Sequence, residues 1–380
     1  MSIPNCRVII VATVIAIATA SSGIVAQTPA PKRADPIKEG EVPQRKKIAP
    51  IPPRGTFVPP KTPWGDPDIT GDYNNSDESG IPFERPDEYA GRAIDSFTPA
   101  ELAKMVAQRQ QQTIERTPGL SEFPGATSPM HWFENYYAAN SRPWLVTEPA
   151  DGKVPAQTAE ARQRQATRQA ARKGRGPADS WEDRSLYDRC LTRGPIGSIL
   201  PVIYGNGLEI HQTPNDVVIR YEMIHETRII PLDAKPHVNE AIKMYMGDAR
   251  GRFEGDTLVV ETKNMVGKTA IGLNGNGSPL SPSATLVERF KRVADDQIDY
   301  SVTVTDPETY TAPFTIAFPI TPQPDYQVLP YECHEGNMAL ANILSAARAE
   351  DRAIAEARAK GLPEPKFNND DGPIFAPARE

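Results

Sequence analysis

Apolar and polar side chains alternate with period two from about residue 195 to residue 332, and the rest of the chain shows no comparable run. The alternation predicts strands at Val202–Tyr204, Gly207–Gln212, Val217–Ile230, Thr257–Asn264, Thr285–Val293, Gln297–Thr305 and Phe314–Ile320, with a further candidate at Tyr326–Tyr331. Between them lie Thr213-Pro214-Asn215-Asp216, Glu254-Gly255-Asp256, Asn274-Gly275-Asn276-Gly277 and Asp295-Asp296, all residue types that favour turns. The most regular part is Gly247–Asp306. Strands this short and this closely spaced predict an antiparallel meander curled into a β-barrel, flanked by helices: a mainly β, α+β chain.

Alternation also assigns faces. In the Val217–Ile230 run, Val217, Ile219, Tyr221, Met223, His225, Thr227 and Ile229 share the apolar face, which is the expected interior; Arg220, Glu222, Glu226 and Arg228 share the other. Ile298, Tyr300, Val302 and Val304 face together, as do Phe314, Ile316 and Phe318. On Thr285–Val293 the Leu286/Glu288/Phe290 and Val287/Arg289 faces are equally plausible, so one of Glu288 and Arg289 must point inward.

Period 3.6 governs three other stretches. Thr98-Pro99-Ala100-Glu101 is a capping box with proline at the first helical position, and predicts a helix to about Glu115 with Leu102, Met105 and Val106 buried. Residues 155–176 predict an exposed, Arg-rich helix without a large apolar residue. Asn337 is a cap for a helix from Met338 to Lys360, whose inner stripe is Leu340, Ile343, Leu344 and Ala347. Order is expected to begin near Trp64, Ile69 and Tyr73, after a proline-rich tail over 27–62 that has too little apolar surface to fold. The expected organisation is a leader over 1–26, that tail, an irregular and helical flank over 63–194, the barrel over 195–348, and a helix end and tail over 349–380.

Composition narrows the function classes. Arg7 followed by the apolar run Val8–Ala20 and small residues has the pattern of a secretory signal, and the run is too short for a membrane span. A periplasmic or secreted location is expected. Net charge of −7 excludes general nucleic-acid binding. With Cys6 in the leader, Cys190 and Cys333 remain, and an oxidising compartment points to a disulfide. Chain entropy gives up to roughly 5 kcal/mol for such a cross-link. Two free buried thiols are the alternative.

The candidate chemistry follows from the inward faces. His225, with one of Glu288 and Arg289 and with Glu261 or Asn264, could orient a ligand or could satisfy itself as an interior network. Tyr221, Met223, His225 and Tyr300 are the candidate ligand contacts within the barrel, with Trp132 and Tyr136 from an aromatic segment that could line a pocket mouth or be a loop covering one end of the sheet. No two of the five histidines, His131, His211, His225, His237 and His334, have metal-pair spacing, so no metal site is expected. There is no nucleophile elbow, phosphate-binding loop or dinucleotide fingerprint, so no cofactor is expected.

The blocks PWGDPDITGDY, EDRSLYDRCLTRG, YEMIHETRIIPLD, GDARGRFEGDTLVVETKN, VERFKRV and YECHEGN resemble the recurring blocks of a family of exported bacterial proteins, common in acidobacteria and in soil or aquatic proteobacteria. The resemblance spans about residues 63–348; it implies a shared fold and supplies no catalytic residues. The turn Gly251-Arg252-Phe253-Glu254-Gly255-Asp256 is also similar to a turn of lipocalin-like barrels, a likeness of fold alone.

Three functions are therefore carried forward. The first is binding of a small, partly apolar ligand in a barrel lumen. The second is an enzyme using His225 as general acid or base, Glu261 or Glu288 to orient it, and Arg289 or Tyr221 to stabilise charge. The third is an interaction module presenting the basic 155–176 helix to an acidic partner.

Overall fold

The computed structural model describes residues 57–116, 140–202, 205–272, 277–323, 326–329 and 331–365. Twelve strands form among them: β1 Gly71–Asn74, β2 Val146–Glu148, β3 Leu208–Gln212, β4 Asp216–Tyr221, β5 Thr227–Pro231, β6 Asp248–Glu254, β7 Thr257–Lys263, β8 Ala270–Ile271, β9 Ser278–Pro279, β10 Thr285–Ala294, β11 Gln297–Thr305 and β12 Phe314–Pro322. The helices are α1 Pro99–Arg116, α2 Ala159–Ala171, α3 Gly194–Gly197 and α4 Ala339–Ala359. Val202 lies outside any strand, and residues 203–204 lie outside the described residues.

The main sheet follows the path β5-β4-β3-β1-β12-β11-β10-β7-β6, with β2 paired on β12 and the β8–β9 ribbon separate. Every pairing is antiparallel. The path curls into a nearly closed, lipocalin-like barrel. Its two ends meet at Gly251: a Cβ there would stand 2.7 Å from Ile230 Cγ2 and 2.8 Å from Leu232 Cδ2. Only a residue without a side chain lets β6 come so near β5.

The interior is lined by alternate residues of the path, among them Tyr73, Ile210, Ile219, Leu258, Val260, Phe290, Ile298, Val302, Phe318 and Ile320, all fully or almost fully buried. Tyr300 lies between Phe290 and Phe318, with ring centroids 4.9 and 5.0 Å away. The face of β10 is settled as well: Leu286, Glu288 and Phe290 point in and Arg289 points out.

One expected strand is in fact a hairpin. The Val217–Ile230 run breaks at Glu222–Glu226, where Ile224 and His225 take φ of 63° and 45°, and Tyr221 N donates to Glu226 O at 2.9 Å. The returning strand pairs Val217 with Ile230 and Ile219 with Arg228. Odd positions therefore face even ones, and the inward set changes from odd on β4 to even on β5. His225, Thr227 and Ile229, expected inside, lie on the outside; Arg228, expected outside, lies inside. Two smaller expectations also change. Residues 326–329 and 331 are not a strand. The Gly251–Glu254 segment read as turn belongs to β6, and only Gly255-Asp256 turns.

The helices begin where their caps place them. Glu101 N donates to Thr98 Oγ1, Thr98 N donates back to Glu101 Oε2, and Met105 and Val106 are buried while Leu102 is half-buried. Asn337 Oδ1 accepts from Ala339 N, and the α4 stripe Leu340, Ile343, Leu344 and Ala347 is only half-buried. Among the described residues no helix is long and apolar enough to cross a membrane.

Candidate functional site

The expected interior groups meet around one that alternation had placed outside. Arg228 from β5 donates through Nη1 to Glu288 Oε1 at 3.0 Å and through Nη2 to Glu288 Oε2 at 2.6 Å, a bidentate pair. The same guanidinium donates to Tyr221 Oη at 3.1 Å and to Thr262 Oγ1 at 3.0 Å, while Tyr300 Oη donates to Glu288 Oε1 at 3.0 Å. Both charged side chains are out of contact with solvent, at 2% and 0% exposure. Burial pushes the Tyr221 phenol up to about 12, and burial together with the Glu288 charge pushes Tyr300 well above its ordinary range. Burial works against the Arg228 charge, and Glu288 more than offsets it, so the guanidinium is held well above its usual value. The cluster is electrically neutral, and each named polar terminus already has a partner. It orders the barrel interior rather than offering an open hand to a ligand.

The other expected site residues do not join it. His225 stands half outside the barrel, where its Nδ1 donates to Tyr331 O at 3.1 Å and lies 3.9 Å from Glu332. Glu261 is on the outer face of β7, bonded to Lys263 at 2.7 Å and to His237 Nε2 at 3.0 Å; the Lys263 bond, with His237, holds its carboxyl below the usual range despite partial burial. Arg289 reaches Glu254 at 3.5 Å on the surface. Thus His225, Glu261, Glu288 and Arg289 engage four separate sets of partners. Met223 is buried and takes the Tyr187 hydroxyl on its sulfur at 3.7 Å. Trp132 and Tyr136 lie outside the described residues.

His237 was legible only as an isolated histidine. It is clamped between two carboxylates, with Nδ1 2.8 Å from Asp248 and Nε2 3.0 Å from Glu261, and Arg250 completes the Asp248 end at 2.9 Å. With both ring nitrogens engaged, it ties the 232–247 connection to β6 and β7 and has no free nitrogen for a substrate. The carboxylates lie on opposite edges of the ring, and among the described residues no three metal-ligating side chains converge.

An open cleft lies elsewhere, at the end of the barrel. It has a volume of about 350 Å³ and is lined by Arg168 of α2, Gly267, Lys268, Thr269, Ala270 of β8 and Pro279 of β9. Arg168 is placed by the start of its helix. Thr158 caps α2 by accepting from Ala161 N, its hydroxyl donates to Glu308 O, and Arg164, one turn before Arg168, donates to the same carbonyl. Thr269 is placed by Gly194, whose φ is +78° and where a Cβ would stand 2.8 Å from Thr269 Cβ. Other α2-region arginines are occupied: Arg172 and Arg175 pair with Asp183, and Arg162 and Arg164 donate to backbone carbonyls. Arg168 and Lys268 have no ion-pair partner among the described residues. No spacing in the sequence pointed to this cleft, because its two cations lie about a hundred positions apart and meet only through tertiary packing.

The disulfide alternative is resolved in favour of the bond. Cys190 and Cys333 are joined, with Cα atoms 5.7 Å apart.

No protein-family model matches the chain, and no curated protein matches it. Among solved structures, the crystal structure of a mutant of the fluorescent protein UnaG is similar over 30% of this chain and 70% of that one, at 11% identity and a TM-score of 0.19.

Proposed function

We propose that the protein is an exported ligand-binding barrel that takes a small anionic molecule in the cleft between α2 and the β8–β9 ribbon. The observation that carries this is the pair Arg168 and Lys268, unpaired among the described residues and facing one cleft of ligand size. The ligand-binding class expected from the sequence is kept, and its place moves from the lumen to the barrel end, because the interior polar groups are spent on one another. Export is supported by the leader-like N-terminus and by the Cys190–Cys333 bond, which suits an oxidising compartment. The basic-helix reading loses support, since most of those arginines are already bonded within the chain.

Both cations are exposed, so each contributes up to about 1 kcal/mol and binding weakens as salt is added. Native mass spectrometry of the protein purified from the exported fraction is expected to show a co-purifying anion that is lost from an R168A/K268A variant. An equal yield of bound anion in the variant, or none in either protein, would refute the cleft assignment.

A further inference from the structure

Arg193 is almost wholly buried, at 2% exposure, and is among the largest buried side chains of the protein. Its Nε has no hydrogen-bond partner, and no ion pair among the described residues involves its guanidinium. The group lies instead over the Tyr187 ring, whose centroid is 4.6 Å from Cζ. Arginine keeps its proton under all ordinary conditions, so burial cannot be relieved by neutralisation. Taking such a charge out of water costs far more than a cation–π contact returns. Something of negative charge is missing from the balance.

The neighbouring acid does not supply it. Glu226 accepts from Thr192 Oγ1 at 2.7 Å and forms no ion pair with Arg193. The Arg228–Glu288 pair makes the contrast plain: there a guanidinium at similar burial, its Nε likewise without a partner, is matched through both Nη atoms by a bidentate carboxylate and two further oxygens. A second buried polar group without a partner, the Thr269 hydroxyl, packs against Gly194, the residue next to Arg193 in the chain.

From this we infer that Arg193 is the buried counter-charge of an oxyanion-binding site, its guanidinium stacked on the Tyr187 ring and donating from its edge to a carboxylate or phosphate group. A planar guanidinium with an unspent Nε presents the fork geometry that suits two oxygens of such a group. The site does not use the cleft cations Arg168 and Lys268, although Thr269 borders both.

The test uses the full-length oxidised protein with sodium acetate and inorganic phosphate as probes, at ionic strength held constant with chloride. The Arg193 Nε–Hε NMR resonance of the wild-type protein is expected to shift and saturate with one or both probes. The melting temperature is expected to rise by about 5 °C at a hundredfold excess over Kd. A response to acetate alone identifies a carboxylate ligand, and a response to phosphate alone a phosphate. R193M is expected to lose the thermal response, while R168A/K268A keeps it. Should R193M fail to fold, the wild-type resonance decides. The inference is overturned if that resonance ignores both probes, or if R193M responds as the wild type does. Loss of response in R168A/K268A with retention in R193M overturns it too, and leaves the cleft as the anion site.

Discussion

The buried pair at the centre of the barrel gives the sharpest quantitative expectation. In E288L, Arg228 keeps its charge with 2% of its side chain exposed, loses both carboxylate bonds, and Tyr300 loses its acceptor. Removing one member of a buried ion pair costs about 3–5 kcal/mol, because the partner stays behind uncompensated. The double variant R228M/E288L removes both charges and fills similar volume, so it is expected within about 1–2 kcal/mol of wild type or above it. With each single variant costing about 3–5 kcal/mol, the coupling energy between the two sites should be at least about 4 kcal/mol, a value outside the scatter of independent substitutions. Urea unfolding of the oxidised protein, followed by both far-ultraviolet circular dichroism and tryptophan fluorescence, measures all four corners of the cycle. If E288L costs less than about 1 kcal/mol, or the double variant costs the sum of the singles, the pair is not the dry, closed network described above.

The hairpin register predicts opposite outcomes at adjacent residues: I229K, at a position 64% exposed, should stay within about 0.5 kcal/mol of wild type, whereas I230K, at 0%, should lose more than about 3. A continuous strand would reverse that order in the same unfolding assay. Glu78 is buried, and desolvation raises its pKa to about 7 from 4.5, only partly offset by Arg142 and by the Ser141 bonds. The folded state therefore holds this proton more tightly than the unfolded state, so the contribution is greatest below about pH 4.5 and falls as pH rises through 7, by roughly 3 kcal/mol at most. The stability difference between wild type and E78Q, measured from pH 4 to 8, should show that slope, and a flat difference would contradict it. Replacing Cys190 and Cys333 by serine frees a cross-link spanning 143 positions, for which up to about 5 kcal/mol of stability should be lost in the melting curve.

Most of the barrel was legible because its strands bury one face, and alternation reports a half-buried strand directly. That is why Tyr221 and Tyr300 were placed inside, whereas on β10, with apolar residues on both faces, alternation left Glu288 and Arg289 undecided. Strand β6 escaped because two of its three inward residues are small, Ala249 and Gly251, leaving Phe253 as the one large apolar side chain on that face. The space opposite Gly251 is filled by Ile230 and Leu232 from the other end of the path. Arg228 was misplaced because a short turn with two left-handed residues sits inside an apolar run and carries no glycine or proline to announce it. The fourteen-residue length of that run was the available warning, since strands average five or six. Arg193 and the cleft depend on residues brought together by packing, for which one-dimensional pattern has no counterpart.

Strand β1 has a consequence for the order in which the barrel can assemble. It is the shared neighbour of β3 and β12, so the sheet's two halves are joined through four residues near the start of the described chain. Tyr73 pairs with Pro322, about 250 positions later. The hairpins β3–β4–β5 and β10–β11–β12 can form locally, but their union waits for β1 to find the last strand to be made. Contacts of such long sequence separation form late and slowly. Until the C-terminal strand is present, β1 has an unpaired edge, and a growing or truncated chain presents two open half-sheets in place of a barrel.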